Sequence, residues 1–426
     1  MDRLSTSTQG SVREDLFDRT VLAVCSRDRT ESPFLAAKRE RDGLLKNTNM
    51  MTPLRVDEML RSLTWFRCLQ GTVGQPRGTQ IIKGLDDMDE DSLLNLAQEW
   101  RTARRRYKEL REKTLVTPQE LARAEAANDD PLSQSADSVW QKLLTLKPLR
   151  AEINKDVLRT YAGDAYFSSE ETQRMLNDQL LVFAAQEEHE LLKYKQGMNE
   201  LLAVCIYALR RDYEVMQQEP EMLEAFYPKF ILDLLDPNEL EADAYTLFSQ
   251  VMELCWEWFS PTRPRTHAHT SVLFQKFHRV QHVLLKHLDL TLYQHLEGLQ
   301  VPPQLYMLRW IRCLFTREFD LDDVVLIWDE ILRHQDHMLA ADYVCVALVM
   351  YHRYALLAEG RNILGVLMNL PRIQRVDVLL ALARYLRGDV APDFASLTPQ
   401  QVESWKSGDL VPVLSQWPLV TRSISL

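Results

Sequence analysis

The run at residues 191–202, LLKYKQGMNELL, decides how the chain is read, and its centre is Tyr194-Lys195-Gln196-Gly197-Met198. Downstream, Met198, Leu201, Leu202, Cys205 and Leu209 recur at three- and four-residue spacing, which predicts a helix with one face turned inward. Gly197 lacks a Cβ and allows another backbone or a ligand to come close. Gln196 is therefore expected at a helix entrance rather than within a packed face. Upstream, Ile153, Asp156, Val157 and Thr160 share a helical face, with Arg159 at its edge. Asp156 and Arg159 are three apart, close enough to pair on a helix. Read alone, Arg159 is a surface arginine in an ion pair worth less than about 1 kcal/mol, and Gln196 is an N-cap-region amide. Together, an arginine and a glutamine on two elements are the residue types that assist phosphoryl transfer in trans.

Composition agrees with an all-α chain. Glycine is only 13 of 426 residues, well below the usual ~7%, and Leu, Ala, Glu and Arg abound, as expected of helices joined by short turns. The net charge of −11 disfavours nucleic acid as the principal partner. The cysteines (Cys25, Cys68, Cys205, Cys255, Cys313, Cys345) are scattered without a C-x-x-C, which suits buried free thiols in a reducing compartment. No N-terminal signal peptide and no long apolar run is visible, so an intracellular, non-spanning protein is expected. The sequence lacks G-x-x-x-x-G-K-[ST], G-x-S-x-G and H-E-x-x-H, and the histidines lack zinc-site spacing, so no nucleotide held by a P-loop and no metal is expected.

Residues 1–50 read as a polar, mostly disordered arm. Arg61 and Trp65 then share a face of a short helix, as a core tryptophan with an arginine snorkelling to solvent. The acids Asp86, Asp87, Asp89, Glu90 and Asp91 precede a helix whose far end carries Arg101, Arg104, Arg105, Arg106, Lys108, Arg111 and Lys113. This order complements the helix dipole; the alternative is a basic surface for anionic lipid or an acidic partner. Leu132 is a lone large apolar residue in a polar loop, which either tucks back or anchors a partner. Ser168-Ser169-Glu170-Glu171 predicts a helix start and a helix running to about Glu188. Another helix is expected from Asn238-Glu239, and the stretch 261–270 is the best internal boundary. Beyond it, 272–296 reads as one long helix, Pro302-Pro303 and Asp320 start two more, and periodic segments follow at 339–357, 361–369 and 373–386. After Gly388 the pattern decays; Trp405 and Trp417 suggest a partly docked tail over 391–426.

Five ordered motifs resemble those of TBC domains, the Rab GTPase-activating proteins. Ile153-x-x-Asp156-x-x-Arg159-Thr160 and Tyr194-x-Gln196-Gly197-Met198 resemble the two finger motifs, and Arg61-x-x-x-Trp65 the opening motif. Glu241-x-Asp243-Ala244-Tyr245-x-x-Phe248 is similar to the mid-domain segment. Leu308-Arg309-Trp310, Leu314-Phe315-x-Arg317-Glu318-Phe319 and Ile327-Trp328-Asp329 are similar to the late helices. The resemblance spans about residues 54–390. It implies a two-lobed helical domain without substantial β-sheet, with lobes at 51–260 and 261–390. It implies that Arg159 and Gln196 act on GTP and Mg²⁺ held by a Rab partner, with no cofactor and no independent hydrolase site in this chain. Asp156 would hold Arg159, Tyr194 would touch the Rab or brace the finger loop, and Arg61, Trp65 and Gly197 would support the domain or bind the Rab. Residues 128–134 (NDDPLSQ) with Trp140, and YVCVALVMY at 343–351, resemble the retromer-associated branch of the family. That branch implies a late-endosomal Rab of the Rab-seven type, retromer as a partner through the loop around Leu132, and a cytoplasmic protein recruited to endosomal membrane. The alternative it carries is a retromer-binding scaffold with little catalysis. Two departures stand out: Tyr161-Ala162 follows Thr160 where many members have a proline, and the long C-terminal region of animal members is missing.

Overall fold

The computed structural model describes residues 60–70, 84–85, 88–126, 138–186, 194–259, 272–358 and 362–388. The chain is all-α, and no β-strand occurs among the described residues. The first half comprises α1 (Arg61–Gln70), α2 (Glu90–Thr114), α3 (Pro118–Ala126), α4 (Val139–Val157), α5 (Glu170–Ala184), α6 (Met198–Gln218), α7 (Pro220–Phe226), α8 (Lys229–Leu232) and α9 (Leu240–Phe259). From residue 272 onward come α10 (Val272–His278), a π-helical stretch Arg279–Leu285 and a last turn Lys286–Leu288. The remaining helices are α11 (Leu290–Gly298), α12 (Pro303–Arg312), α13 (Leu321–Arg333), α14 (His337–Tyr351), α15 (Arg353–Ala358), α16 (Ile363–Met368) and α17 (Val376–Arg387). Leu132, the arm at 1–50, the boundary at 261–270 and the tail at 391–426 lie outside the described residues.

Two helices are buried almost all round and organise the rest. In α6, Met198 to Ile206 are buried without a break, and α9, α1, α13, α5 and α4 pack around it. A helix apolar on every side must be surrounded by others. In α14, Leu339 to Met350 are likewise buried, against α17, α13 and the π-helical stretch. The buried apolar residues form one cluster running from Leu60 to Leu386.

Caps fix several helix starts. Asp89 accepts from the Ser92 N–H at 2.8 Å to open α2, and Ser169 accepts from the Thr172 N–H at 3.2 Å to open α5. Asp320 occupies the N-cap position of α13, but its carboxylate pairs with Arg372 instead of capping. The expected helix over 272–296 is interrupted at Asp289, whose carboxylate caps the Leu292 N–H at 3.0 Å and binds Arg353 at 2.6 Å. An N-cap carboxylate facing an arginine outweighs continuous apolar periodicity there. Likewise, 339–357 divides at His352 into α14 and α15.

Part of the basic end of α2 is paired within the fold, while Arg101, Arg105, Arg106, Lys108 and Lys113 are exposed. Arg104 grips Asp243 with two bonds of 2.5 and 2.7 Å, Lys108 meets Glu239 at 2.7 Å, and Arg111 meets Glu241 at 2.8 Å. The motif Glu241-x-Asp243 on α9 is thus the acidic complement of the α2 stripe.

Arg61 does not snorkel. It is buried, and its Nε bonds both Asp329 oxygens at 2.9 and 3.1 Å, while the Trp65 indole N–H donates to Asp329 at 2.8 Å. Asp212 on α6 accepts the Arg61 and Ser62 backbone N–H groups at 3.1 and 2.8 Å, capping α1. Two carboxylates therefore seat α1 between α6 and α13. Asp329→Ala removes the carboxylate that binds the buried Arg61 guanidinium and the Trp65 indole and should cost about 3–5 kcal/mol of unfolding free energy, read from urea titration. A loss under about 1 kcal/mol, the usual worth of an exposed pair, would show that the contact is not structural.

Candidate functional site

The helix α4 ends one residue past Asp156, because the chain leaves helical geometry into a turn at 158–168. Within that turn the Thr160 hydroxyl donates back to the Asp156 carbonyl at 2.8 Å, and its N–H bonds the Val157 carbonyl at 3.0 Å. Arg159 therefore projects from a helix C-terminus, with its side chain 52% exposed. Leu158 beside it is 54% exposed. The Arg159 Nη2 bonds Asp156 Oδ1, and its other N–H groups have no partner among the described residues.

Asp156 is buried and its second oxygen accepts from the Tyr194 hydroxyl at 2.7 Å. Tyr194 is 2% exposed, so its contact is with the Arg159 element and not with solvent. Burial, and then the Asp156 carboxylate, push its phenol well above the usual range, so it stays a donor. This single carboxylate ties the end of α4 to the segment leading into α6.

Gly197 forms the entrance to α6. Its φ of 107° is left-handed, and a Cβ there would lie 3.3 Å from Cys313 Sγ and 3.7 Å from a Phe259 ring carbon. Both the angle and the space favour glycine. Gln196 next to it is exposed and makes no hydrogen bond to the described residues. Arg159 and Gln196 are thus brought to one site by two elements that interlock beneath them. Arg61 and Trp65 are not part of that site; they converge on Asp329.

Three contributions were not legible from the motifs. Asn199 is fully buried; its Nδ2 donates to Thr160 Oγ1 at 2.7 Å, and its Oδ1 accepts from the Gly197 N–H at 3.1 Å. A polar pair, Asn199-Glu200, between Met198 and Leu201-Leu202 at the helix start was the available signal. Glu200 pairs with Arg317 at 3.1 Å; burial raises its carboxyl above the usual range, and Arg317 opposes that rise. Tyr161, where the family's proline region departs, adopts φ 43° and donates from its hydroxyl to the Thr316 carbonyl at 3.2 Å. Leu314 and Phe315 in the same neighbouring loop have φ 43° and 67°. Of the six positive-φ residues among those described, four (Tyr161, Gly197, Leu314, Phe315) belong to this site and its supporting loop. Strained backbone held this way clusters where geometry matters for function.

Among the described residues, no group of three or more His, Cys, Asp or Glu is arranged to hold a metal. His334 and His337 are buried and bond backbone groups. No helix among them is long and apolar enough to cross a membrane. The chemistry this arrangement offers is one half-exposed guanidinium and one exposed amide, both presented outward on an interlocked base.

Comparison with known proteins points to one family. The Rab-GTPase-TBC domain model matches residues 115–357. The chain is 35% identical over 301 residues to TBC1 domain family member 5 of Mus musculus, covering 66% of this chain and 36% of that protein. It is 34% identical over 301 residues to the Homo sapiens protein of the same name, covering 66% of this chain and 37% of that one. The matched region thus spans little more than a third of these relatives' length, 36% and 37%. The crystal structure of the Ypt/Rab-GAP domain of Gyp1p superposes with a TM-score of 0.50 at 18% identity, covering 83% of this chain and 98% of that one, a likeness of fold. With more than half its residues matched by that one model, the chain belongs to the Rab-GTPase-TBC domain family.

Proposed function

We propose that the chain accelerates GTP hydrolysis by a Rab GTPase, with Arg159 and Gln196 supplied in trans. The observation that carries this reading is the interlock itself. Two exposed side chains, Arg159 held by one ion pair to Asp156 and Gln196 without a hydrogen bond to the described residues, stand on elements fastened by Asp156 and Tyr194. In the transition state, charge builds on the phosphoryl oxygens of the Rab-bound GTP. Arg159 neutralises that charge, an effect worth about 10³–10⁵ in rate. Gln196 orients the attacking water. The Asp156 pair keeps the guanidinium aimed without burying it, since one Nη is held while the rest of the fork is open. GTP and Mg²⁺ belong to the Rab.

A late-endosomal Rab of the Rab-seven type is the substrate we favour, on the likeness to TBC1 domain family member 5. The same likeness, at Asn128-Asp129-Asp130-Pro131-Leu132-Ser133-Gln134, supports retromer as a partner and recruitment from cytoplasm to endosomal membrane through such partners.

Single-turnover hydrolysis across a panel of GTP-loaded Rabs tests the activity. One or a few Rabs should be accelerated. Arg159→Ala should lower that acceleration by about 10³-fold or more. Arg159→Lys should not restore it, because a point charge lacks the planar fork. Gln196→Ala should lower it by about 10²-fold through loss of water positioning. Gln196→Ala should lose less than about 0.5 kcal/mol of stability, and Arg159→Ala about 1–3 kcal/mol, since it leaves one oxygen of the buried Asp156 without its partner. A folded wild-type protein that accelerates no Rab would end the catalytic reading. Separately, Leu132→Glu should weaken capture of purified retromer while leaving hydrolysis rates unchanged; equal capture would remove that residue from the partner interface.

A further inference from the structure

We propose that Asn199 is a positioning residue that couples the two fingers, so that Arg159 and Gln196 act as one unit; this rests on the catalytic reading above. Asn199 is fully buried, so it touches neither a Rab nor GTP. Its primary amide nevertheless meets both finger elements. On the arginine side, Nδ2 donates to Thr160 Oγ1 at 2.7 Å and, more weakly, to the Asp156 carbonyl at 3.4 Å. On the glutamine side, Oδ1 accepts the Gly197 N–H at 3.1 Å and lies 3.3 Å from the Tyr194 hydroxyl, whose proton goes to Asp156.

The amide's orientation follows from its partners. The Thr160 hydroxyl already donates to the Asp156 carbonyl, so it can only accept from Asn199. The Gly197 N–H can only donate. One end of the side chain must therefore be NH₂ and the other C=O, which an asparagine supplies and neither leucine nor aspartate does. The residues it holds flank the fingers directly: Thr160 follows Arg159, and Gly197 follows Gln196. Gly197 is held in a left-handed conformation whose direction sets where Gln196 leaves the chain. The Gly197 N–H is also at the helix entrance, where it has no intrahelical acceptor. Loss of the amide thus releases both finger stems at once, whereas loss of either finger side chain leaves the stems in register.

The consequence is kinetic. Misplacing a catalytic group by about 1 Å costs about 10²-fold in rate, while a Rab bound across the outer surface senses little of a buried change. Asn199→Asp keeps the oxygen facing Gly197 and turns the donor end into a second acceptor. Thr160→Val removes the arginine-side acceptor together with the hydroxyl's own bond to the Asp156 carbonyl, and leaves the glutamine side untouched. With the Rab identified by the panel, each variant should lower kcat by about 10²-fold and leave KM for the Rab within about twofold. Binding to the Rab loaded with GDP and aluminium fluoride, which resembles the transition state, should weaken by the same factor. Binding to the Rab loaded with a non-hydrolysable GTP analogue should not change.

A folded Asn199→Asp protein with kcat within about threefold of wild type overturns the proposal. So does a variant whose kcat and KM worsen together in step with a lowered melting temperature, which marks a merely structural asparagine. If Asn199→Asp does not fold, Thr160→Val carries the test alone, and wild-type rates from it overturn the proposal. A wild-type protein that accelerates no Rab fails the catalytic reading, and this inference with it. Normal wild-type acceleration with unaffected variants fails this inference alone.

Discussion

A buried carboxylate is the constraint on which the site depends. Asp156 sits at the end of α4 with little exposure, and an ionised group there needs partners for both oxygens. Arg159 satisfies one and the Tyr194 hydroxyl the other. The first partner comes from the next turn of chain and is easily met. The second comes from 38 residues away, so the carboxylate pulls the entrance of α6 against the end of α4. Because α6 is the buried centre of the first half, the site inherits its rigidity from the core.

Strain gathers at the same place. Gly197 takes a left-handed angle against Cys313 and Phe259, and Tyr161, Leu314 and Phe315 take positive φ without glycine's freedom. Non-glycine residues in that region each cost about 1–3 kcal/mol, so each needs compensation. The Leu314 carbonyl accepts the Trp328 indole N–H at 3.0 Å, and the Phe315 N–H reaches the Trp310 carbonyl at 2.9 Å. Thr316 accepts from Tyr161, and Arg317 pairs with Glu200. The late-helix motif Leu314-Phe315-x-Arg317 thereby joins the turn after Arg159, at Tyr161, to the start of α6, at Glu200.

Much of the architecture was legible because it is local. Helical periodicity gave most helices, and Ser169 and Asp89 were readable as starts because a cap acts within three residues. Local signals also failed where a second local signal competed. Thr117-Pro118-Gln119-Glu120 is a capping box, with Thr117 N–H to Glu120 at 2.7 Å and Glu120 N–H to Thr117 at 3.2 Å, and it opens α3, a helix not among those expected from the sequence. Asp289 breaks a stripe whose apolar spacing continues on both sides, because Arg353 and the Leu292 N–H both draw its carboxylate.

The remaining failures are long-range pairings of charge, which a single sequence does not encode locally. Arg61 looked like a snorkelling side chain because Asp329, its partner, is 268 residues away. The basic end of α2 left a surface for lipid or an acidic partner open beside the helix-dipole reading, because Asp243 and Glu241, which hold Arg104 and Arg111, lie 139 and 130 residues on. Both cases run in the same direction. An unpaired cation in a sequence is assigned to solvent, since burial without a partner costs several kcal/mol, and the partner is invisible until the fold brings it close. Arg159 is the informative contrast. Its partner Asp156 was visible three residues away, and the structure still leaves its side chain half exposed. An arginine that has a carboxylate beside it and remains open to solvent is held in place without being consumed by structure, and that distinguishes it from Arg61 and Arg104.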